Sequence, residues 1–223
     1  MTDFIYWEHP TPVGIMVAEV SGCENRSGRT WLEMARQIYS ENGKDSYREI
    51  SHTQTGAPLL EGSNRRISIS HSDHLLVIAS LPPTPECELD SYNRRSALGI
   101  DCEHPDRAQV IKVRNKFLSD DEQAMIPADD VKLNILAWTI KEAIYKALLQ
   151  PGIDFRNSIS ILSLPELKEF DPFNAGVLGK ARFLPEGNDD MEEMFEIYSY
   201  LSDDYVVTLA FNQRCAKFSA PKK

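Results

Sequence analysis

Two stretches decide the fold: Leu98-Gly99-Ile100-Asp101-Cys102-Glu103, and Trp138-Thr139-Ile140-Lys141-Glu142-Ala143-Ile144-Tyr145-Lys146. The first reads as a short strand led in by a glycine. Side chains alternate faces along a strand, so Asp101 and Glu103 share a face and Cys102 takes the other as a small buried apolar residue. Two carboxylates on one face repel unless a cation sits between them. The second stretch reads as an amphipathic helix on which Trp138, Glu142 and Lys146 recur every four residues and share a face. Packed against the strand, that face adds a third carboxylate. Three carboxylates with water suit Mg²⁺, a hard ion that prefers oxygen, and a nearby lysine suits a phosphate.

Working outward, Ile67–Ser70 and Leu75–Leu81 read as two strands joined by a turn at His71-Ser72-Asp73-His74. Residues 1–22 read as strand and loop, with Val13–Val20 as the strand. A helix is expected from about Gly28 to Tyr39, and residues 41–66 are polar and turn-rich. Downstream, a basic helix is expected over Arg107–Lys116. A second helical region, Phe117–Ile126, has Ser119 and Glu122 in capping-box spacing. The Trp138 helix runs to about Leu149, where Pro151-Gly152 stops it. Ile159–Leu164, Gly179–Phe183, Phe195–Leu201 and Tyr205–Phe211 are strand candidates. Ser72 to Val77 and Ser202 to Val207 align as a faint repeat, and helix then hairpin occurs in each half. The expected fold is therefore α/β (α+β): two similar halves, residues 1–104 and 105–223, form a pseudo-dimer with the site at their interface.

Ile69-Ser70-His71-Ser72, then Gly99 to Glu103, then Phe117 to Glu122, then Trp138 to Lys146 follow an order that resembles the 4′-phosphopantetheinyl transferase superfamily. The length and two-half layout resemble its surfactin-synthetase-activating type. The resemblance implies a transfer of the 4′-phosphopantetheine group of coenzyme A to a serine hydroxyl of an acyl or peptidyl carrier protein, with release of 3′,5′-ADP. It implies Mg²⁺ on Asp101, Glu103 and Glu142. Glu142 is then the third ligand or the base for the incoming serine. Read by itself, it is an ordinary helical partner of Lys146. Lys141 and Lys146 are implied phosphate contacts, with Lys146 the better placed. Ser70 and His71 belong to the turn that holds a coenzyme A phosphate. Arg29 falls where the family has a basic residue near the 3′-phosphate, and Ala57 stands where the family often carries lysine. Glu122 matches an acid that orders its loop near the site; its spacing alone reads as a cap. A catalytically silent relative that binds coenzyme A or a carrier protein is the alternative reading.

The bounds agree. The chain has 223 residues and a net charge of −10, from 24 basic and 34 acidic residues, which argues against nonspecific nucleic-acid binding. No signal peptide and no membrane-length apolar run is read from the sequence. Four scattered cysteines without C-x-x-C spacing fit reduced thiols. The expected protein is a cytoplasmic monomer. Its carrier partner is expected to meet Lys112, Arg114 and Lys116 on the basic helix.

Overall fold

The computed structural model describes residues 2–8, 13–20, 35, 49–54, 56–61, 63, 65–72, 75–81, 97–165, 168–169, 178–185 and 192–212. The N-terminal strands are β1 (Thr2–Glu8), β2 (Gly14–Val20), β3 (Ile50–His52), β4 (Pro58–Leu60), β5 (Ile67–Ser72) and β6 (Leu75–Ser80). An antiparallel sheet runs in the order β1-β2-β6-β5, and β3 and β4 form a separate hairpin. That hairpin lies in the stretch whose composition reads as polar and turn-rich. It is built from three-residue strands that carry too little periodicity to announce themselves. The expected helix from Gly28 to Tyr39 lies outside the described residues except for Ala35, which is helical and buried.

The chain continues through β7 (Leu98–Glu103), α1 (Gln109–Phe117), α2 (Asp120–Met125), α3 (Val131–Leu148) and the single turn α4 (Phe155–Ser158). Then come β8 (Ile159–Ser163), β9 (Lys168–Glu169), β10 (Leu178–Phe183), β11 (Glu193–Leu201) and β12 (Val206–Asn212). The second sheet runs β7-β12-β11-β10-β8, with β9 parallel to the end of β11. The strand β7 thus pairs with β12, Asp101 opposite Thr208, so the sheets divide before Leu98 rather than after His104. The architecture is mixed α+β.

The alternation of β7 and β12 splits the core. Leu98, Ile100 and Cys102, with Val207, Leu209 and Phe211, pack against Val13, Leu75, Val77 and Ala79 of the N-terminal part. The opposite face receives α3 through Leu136, Ile140, Ala143, Ile144 and Ala147. Gly99 is what lets that helix approach. A Cβ at this position would lie 1.8 Å from the carbonyl oxygen of Ala143 and 2.8 Å from the amide nitrogen of Ala147, so only glycine fits beneath the helix backbone. Asp130 caps the start of α3 by accepting from the Leu133 N–H at 2.9 Å, which satisfies one of the orphan donors of the first turn.

The edge strands of the two sheets, β5 and β7, meet without a backbone ladder. The alternating serines of Ile67-Ser68-Ile69-Ser70-His71-Ser72 substitute for it. Ser68 Oγ accepts from the Ile100 N–H at 3.0 Å, and Ser70 Oγ accepts from the Cys102 N–H at 3.3 Å. The outward edge of β7 is thereby covered. Because β5 extends to Ser72, His71 and Ser72 stand on a strand and not in the turn that the sequence suggests. Asp73 and His74 lie outside the described residues.

Candidate active site

Period-two alternation puts Gly99, Asp101 and Glu103 on the face toward α3, and the close approach at Gly99 brings the end of that helix over Asp101. Lys146 Nζ lies 2.7 Å from Asp101 Oδ1 and 2.8 Å from Ser70 Oγ. Ser70 Oγ donates to the same Asp101 oxygen at 2.8 Å. Asp101 Oδ2, by contrast, is buried with no hydrogen-bond partner. Such an atom is costly unless something positive or a donor occupies the space beside it.

Glu103 is held differently. Arg107 Nη1 lies 2.8 Å from Oε1 and 2.6 Å from Oε2, and Ser72 Oγ donates to Oε2 at 3.3 Å. Burial, together with the charges of Asp101 and Glu103, pushes the Glu142 carboxyl up to about 7, against the opposing pull of Lys146. Burial alone would lower Lys146, but Asp101 outweighs it and the ammonium is held above its ordinary value. His71 is shifted the other way: desolvation and the Lys146 ammonium lower it, with Asp101 opposing.

Two hollows flank this cluster and share His71. One, of about 270 Å³, is lined by residues of the β3–β4 hairpin, β5 and the end of α3, including Ala57, His71, Tyr145, Lys146 and Leu149. The other, about 610 Å³ and more open, is lined by His71, Ser72, His104, Asp106 and Arg107.

Several expected site residues stand elsewhere. Lys141 is wholly buried, and its three donors go to Glu122 Oε2 at 2.7 Å and to the carbonyl oxygens of Phe155 at 2.8 Å and Ile159 at 2.7 Å. No N–H remains for a phosphate, so Lys141 is a structural cation. Glu122 is equally committed. It completes the capping box with Ser119 and accepts from the Ile161 N–H at 2.7 Å, which places it in the core rather than in the site. Ser70 uses its one donor and both lone pairs on Asp101, Cys102 and Lys146. It orients the carboxylate and has no capacity left for a ligand. Lys146 keeps one N–H beyond the two engaged on Ser70 and Asp101. Arg114 is tied to Asn134 Oδ1, Gln123 Oε1 and the Ile126 carbonyl oxygen, so its guanidinium is engaged within the fold. The Trp138 ring packs on Phe117 and Phe155, 5.1 and 6.0 Å between centroids. Arg29 lies outside the described residues.

Sequence reading missed Arg107 as the partner of Glu103, although the i, i+4 spacing carries that signal. The serine row of β5 was legible only as part of a motif, and its role in joining two sheets depends on which edge faces which.

Among the described residues, no three of His, Cys, Asp or Glu stand close enough together to hold a metal ion as they are arranged. The donor set nonetheless suits a hard divalent cation. Asp101 presents an unpartnered buried oxygen, Glu142 is destabilised as an anion first by burial and then by the other two carboxylates, and an oxygen-only site is the kind Mg²⁺ takes. No helix among the described residues is long and apolar enough to cross a membrane.

No curated protein matches the chain at a significant level. The family model of the 4′-phosphopantetheinyl transferase superfamily matches residues 97–210, which is about half of the 223 residues and runs from the residue before β7 into β12. The matched span contains Asp101, Glu103, Glu142 and Lys146, and the chain belongs to the 4′-phosphopantetheinyl transferase superfamily.

Proposed function

We propose that this protein transfers the 4′-phosphopantetheine group of coenzyme A to a serine hydroxyl of an acyl or peptidyl carrier protein and releases 3′,5′-ADP. The observation that carries the reading is the Asp101–Ser70–Lys146 cluster. It couples a buried carboxylate with one unpartnered oxygen to an ammonium that retains a donor for an anion. Lys146 lines one of two hollows that share His71, an arrangement that suits a diphosphate placed at His71 and Lys146, with nucleotide and thiol arm extending to either side.

Asp101, Glu103 and Glu142 are the residues that hold Mg²⁺ in this reading, and the bound cation supplies charge neutralisation for the diphosphate. Lys146 binds a phosphate oxygen with its remaining N–H. His71 does the same from β5. The serine oxygen forms a bond to the β-phosphorus as the bond to the 3′,5′-ADP oxygen breaks. In this reading Glu142 also takes the serine proton, through a water bound between the two. Positioning and charge stabilisation do the rest of the work in such a transfer.

One chain supplies both walls of the site, β5 on one side and β7 with α3 on the other, which suits a monomer and the longer, surfactin-synthetase-activating type. The buried free thiol of Cys102, pushed up chiefly by burial, fits a reducing cytoplasm. For the carrier, the exposed Lys112, Val113 and Lys116 on α1 offer two charges around an apolar residue. They lie on the first helix after β7.

The catalytically silent alternative has one observation in its favour: Arg107 already occupies both oxygens of Glu103. Incubation of an apo carrier protein with coenzyme A and Mg²⁺, read by intact-protein mass spectrometry, decides between the two. A gain of one phosphopantetheine group, abolished by chelation of the metal, is the expected result. An unchanged carrier mass with coenzyme A bound to the protein favours the silent binder.

A further inference from the structure

Leu149 ends α3 at φ 53° and ψ 25°, in the left-handed region. It is the one non-glycine residue with positive φ among those described, and the two other positions of that kind, Gly56 and Gly152, are glycines. A side chain in this region crowds the backbone, and helices that end this way usually place glycine there. Core packing does not account for the exception, because Leu149 is 40% exposed. What it does touch is the smaller hollow, whose wall it forms together with Tyr145 and Lys146 on the preceding turn of α3 and Ala57 and His71 across the gap. A strained residue whose side chain faces a cavity instead of the core points to a ligand.

We infer that Leu149 is a binding residue for coenzyme A, kept in a strained backbone conformation because its side chain supplies an apolar contact in the cavity beside Lys146. The inference rests on the coenzyme reading given above. It separates two properties that a packing residue would keep together. Removing the side chain weakens ligand binding, while relieving the strain leaves the free protein at least as stable.

The test compares wild type with Leu149→Gly and Leu149→Ala by calorimetric titration of coenzyme A with Mg²⁺ present, and by thermal unfolding without ligand. The expected result is a Kd about tenfold weaker in both variants, the size of one lost apolar side-chain contact. The glycine variant unfolds at a temperature equal to or above that of wild type. Both variants binding coenzyme A within twofold of wild type overturns the inference and leaves the coenzyme reading standing. So does a lower unfolding temperature for Leu149→Gly, which makes Leu149 a packing residue of its own fold. A wild-type protein that does not bind coenzyme A at all overturns both.

Discussion

Helix α3 carries two lysines, five residues apart, that each pair with a buried carboxylate, and the two pairs have opposite characters. Lys141 and Glu122 are sealed, with side-chain exposures of 0% and 3%. Every donor on Lys141 is used, and both Glu122 oxygens accept backbone N–H groups as well. Lys146 and Asp101 are open, at 28% and 7%, and the carboxylate keeps an unpartnered oxygen. Desolvation lowers Lys141 despite Glu122, whereas Lys146 is held up by Asp101 and further by Glu142. A buried pair that satisfies itself fixes structure: here it ties α2, α3, α4 and β8 together. A pair that does not satisfy itself is available for chemistry. The same residue types five positions apart on one helix therefore do different work, and the completeness of the surrounding hydrogen bonds tells them apart.

The comparison breaks most visibly under Lys141→Met. This change strands the Glu122 charge in the core and is expected to cost about 3–5 kcal/mol, a drop of roughly 6–20 °C in Tm for a chain of this size. Lys146→Met, by contrast, should leave Tm within a few degrees. Equal Tm losses for the two variants would remove the distinction between sealed and open pairs.

Asp101→Ala should lower transfer by about 10²-fold or more, the usual loss when a charge-stabilising group goes. Steady-state turnover at limiting Mg²⁺ checks it, with circular dichroism as the control for folding. Near-normal turnover would place the metal and the diphosphate elsewhere.

The raised carboxyl of Glu142 sets a pH dependence. Its folded value, about 7, lies above its ordinary 4.5, so the folded state binds the proton more tightly than the unfolded chain does. That contribution to stability is complete below about pH 4.5 and is lost as pH rises through about 7. Wild type should therefore lose stability across this window relative to Glu142→Gln. Mg²⁺ requires the deprotonated form, so its affinity should fall about tenfold between pH 8 and pH 6. A pH-independent affinity would remove Glu142 from the ligand set.

Arg107 holds Glu103 with a mostly exposed side chain. Removing it in Arg107→Ala should tighten Mg²⁺ or Mn²⁺ binding by about threefold, the scale of an exposed ion pair. Titration calorimetry reads this directly, and weaker binding in the variant would instead make Arg107 a support for the site. The smallest effect is expected on α1. Lys112→Glu with Lys116→Glu should raise KM for the carrier protein by roughly twofold to threefold at low salt and leave KM for coenzyme A unchanged, since rim charges act mainly on association. Carrier kinetics identical to wild type at low salt would move the docking face off α1.

Much of the architecture could be read from local pattern. The strands read at Ile67–Ser70 and Leu75–Leu81 fall where β5 and β6 lie, and the capping box at Ser119 and Glu122 formed as its spacing implied. The turn at His71 was misplaced because a polar end to a strand looks like a turn until its partner strand is known. The β3–β4 hairpin escaped because three residues do not establish a period.

What the sequence by itself determined were the properties that neighbours along the chain impose: that Asp101 and Glu103 share a face, that α3 stops ahead of Pro151-Gly152, and that Ser119 caps α2. Only the tertiary structure decided which lysine is structural and which is open to a ligand, why position 99 must be glycine, and which edge the β5 serines cover. Those outcomes depend on groups brought together across long stretches of chain: Ser70 with Lys146, Glu122 with Ile161, Gly99 with Ala143. Whether a charge is satisfied is a property of the whole shell around it, and no spacing in a single stretch of chain records that shell.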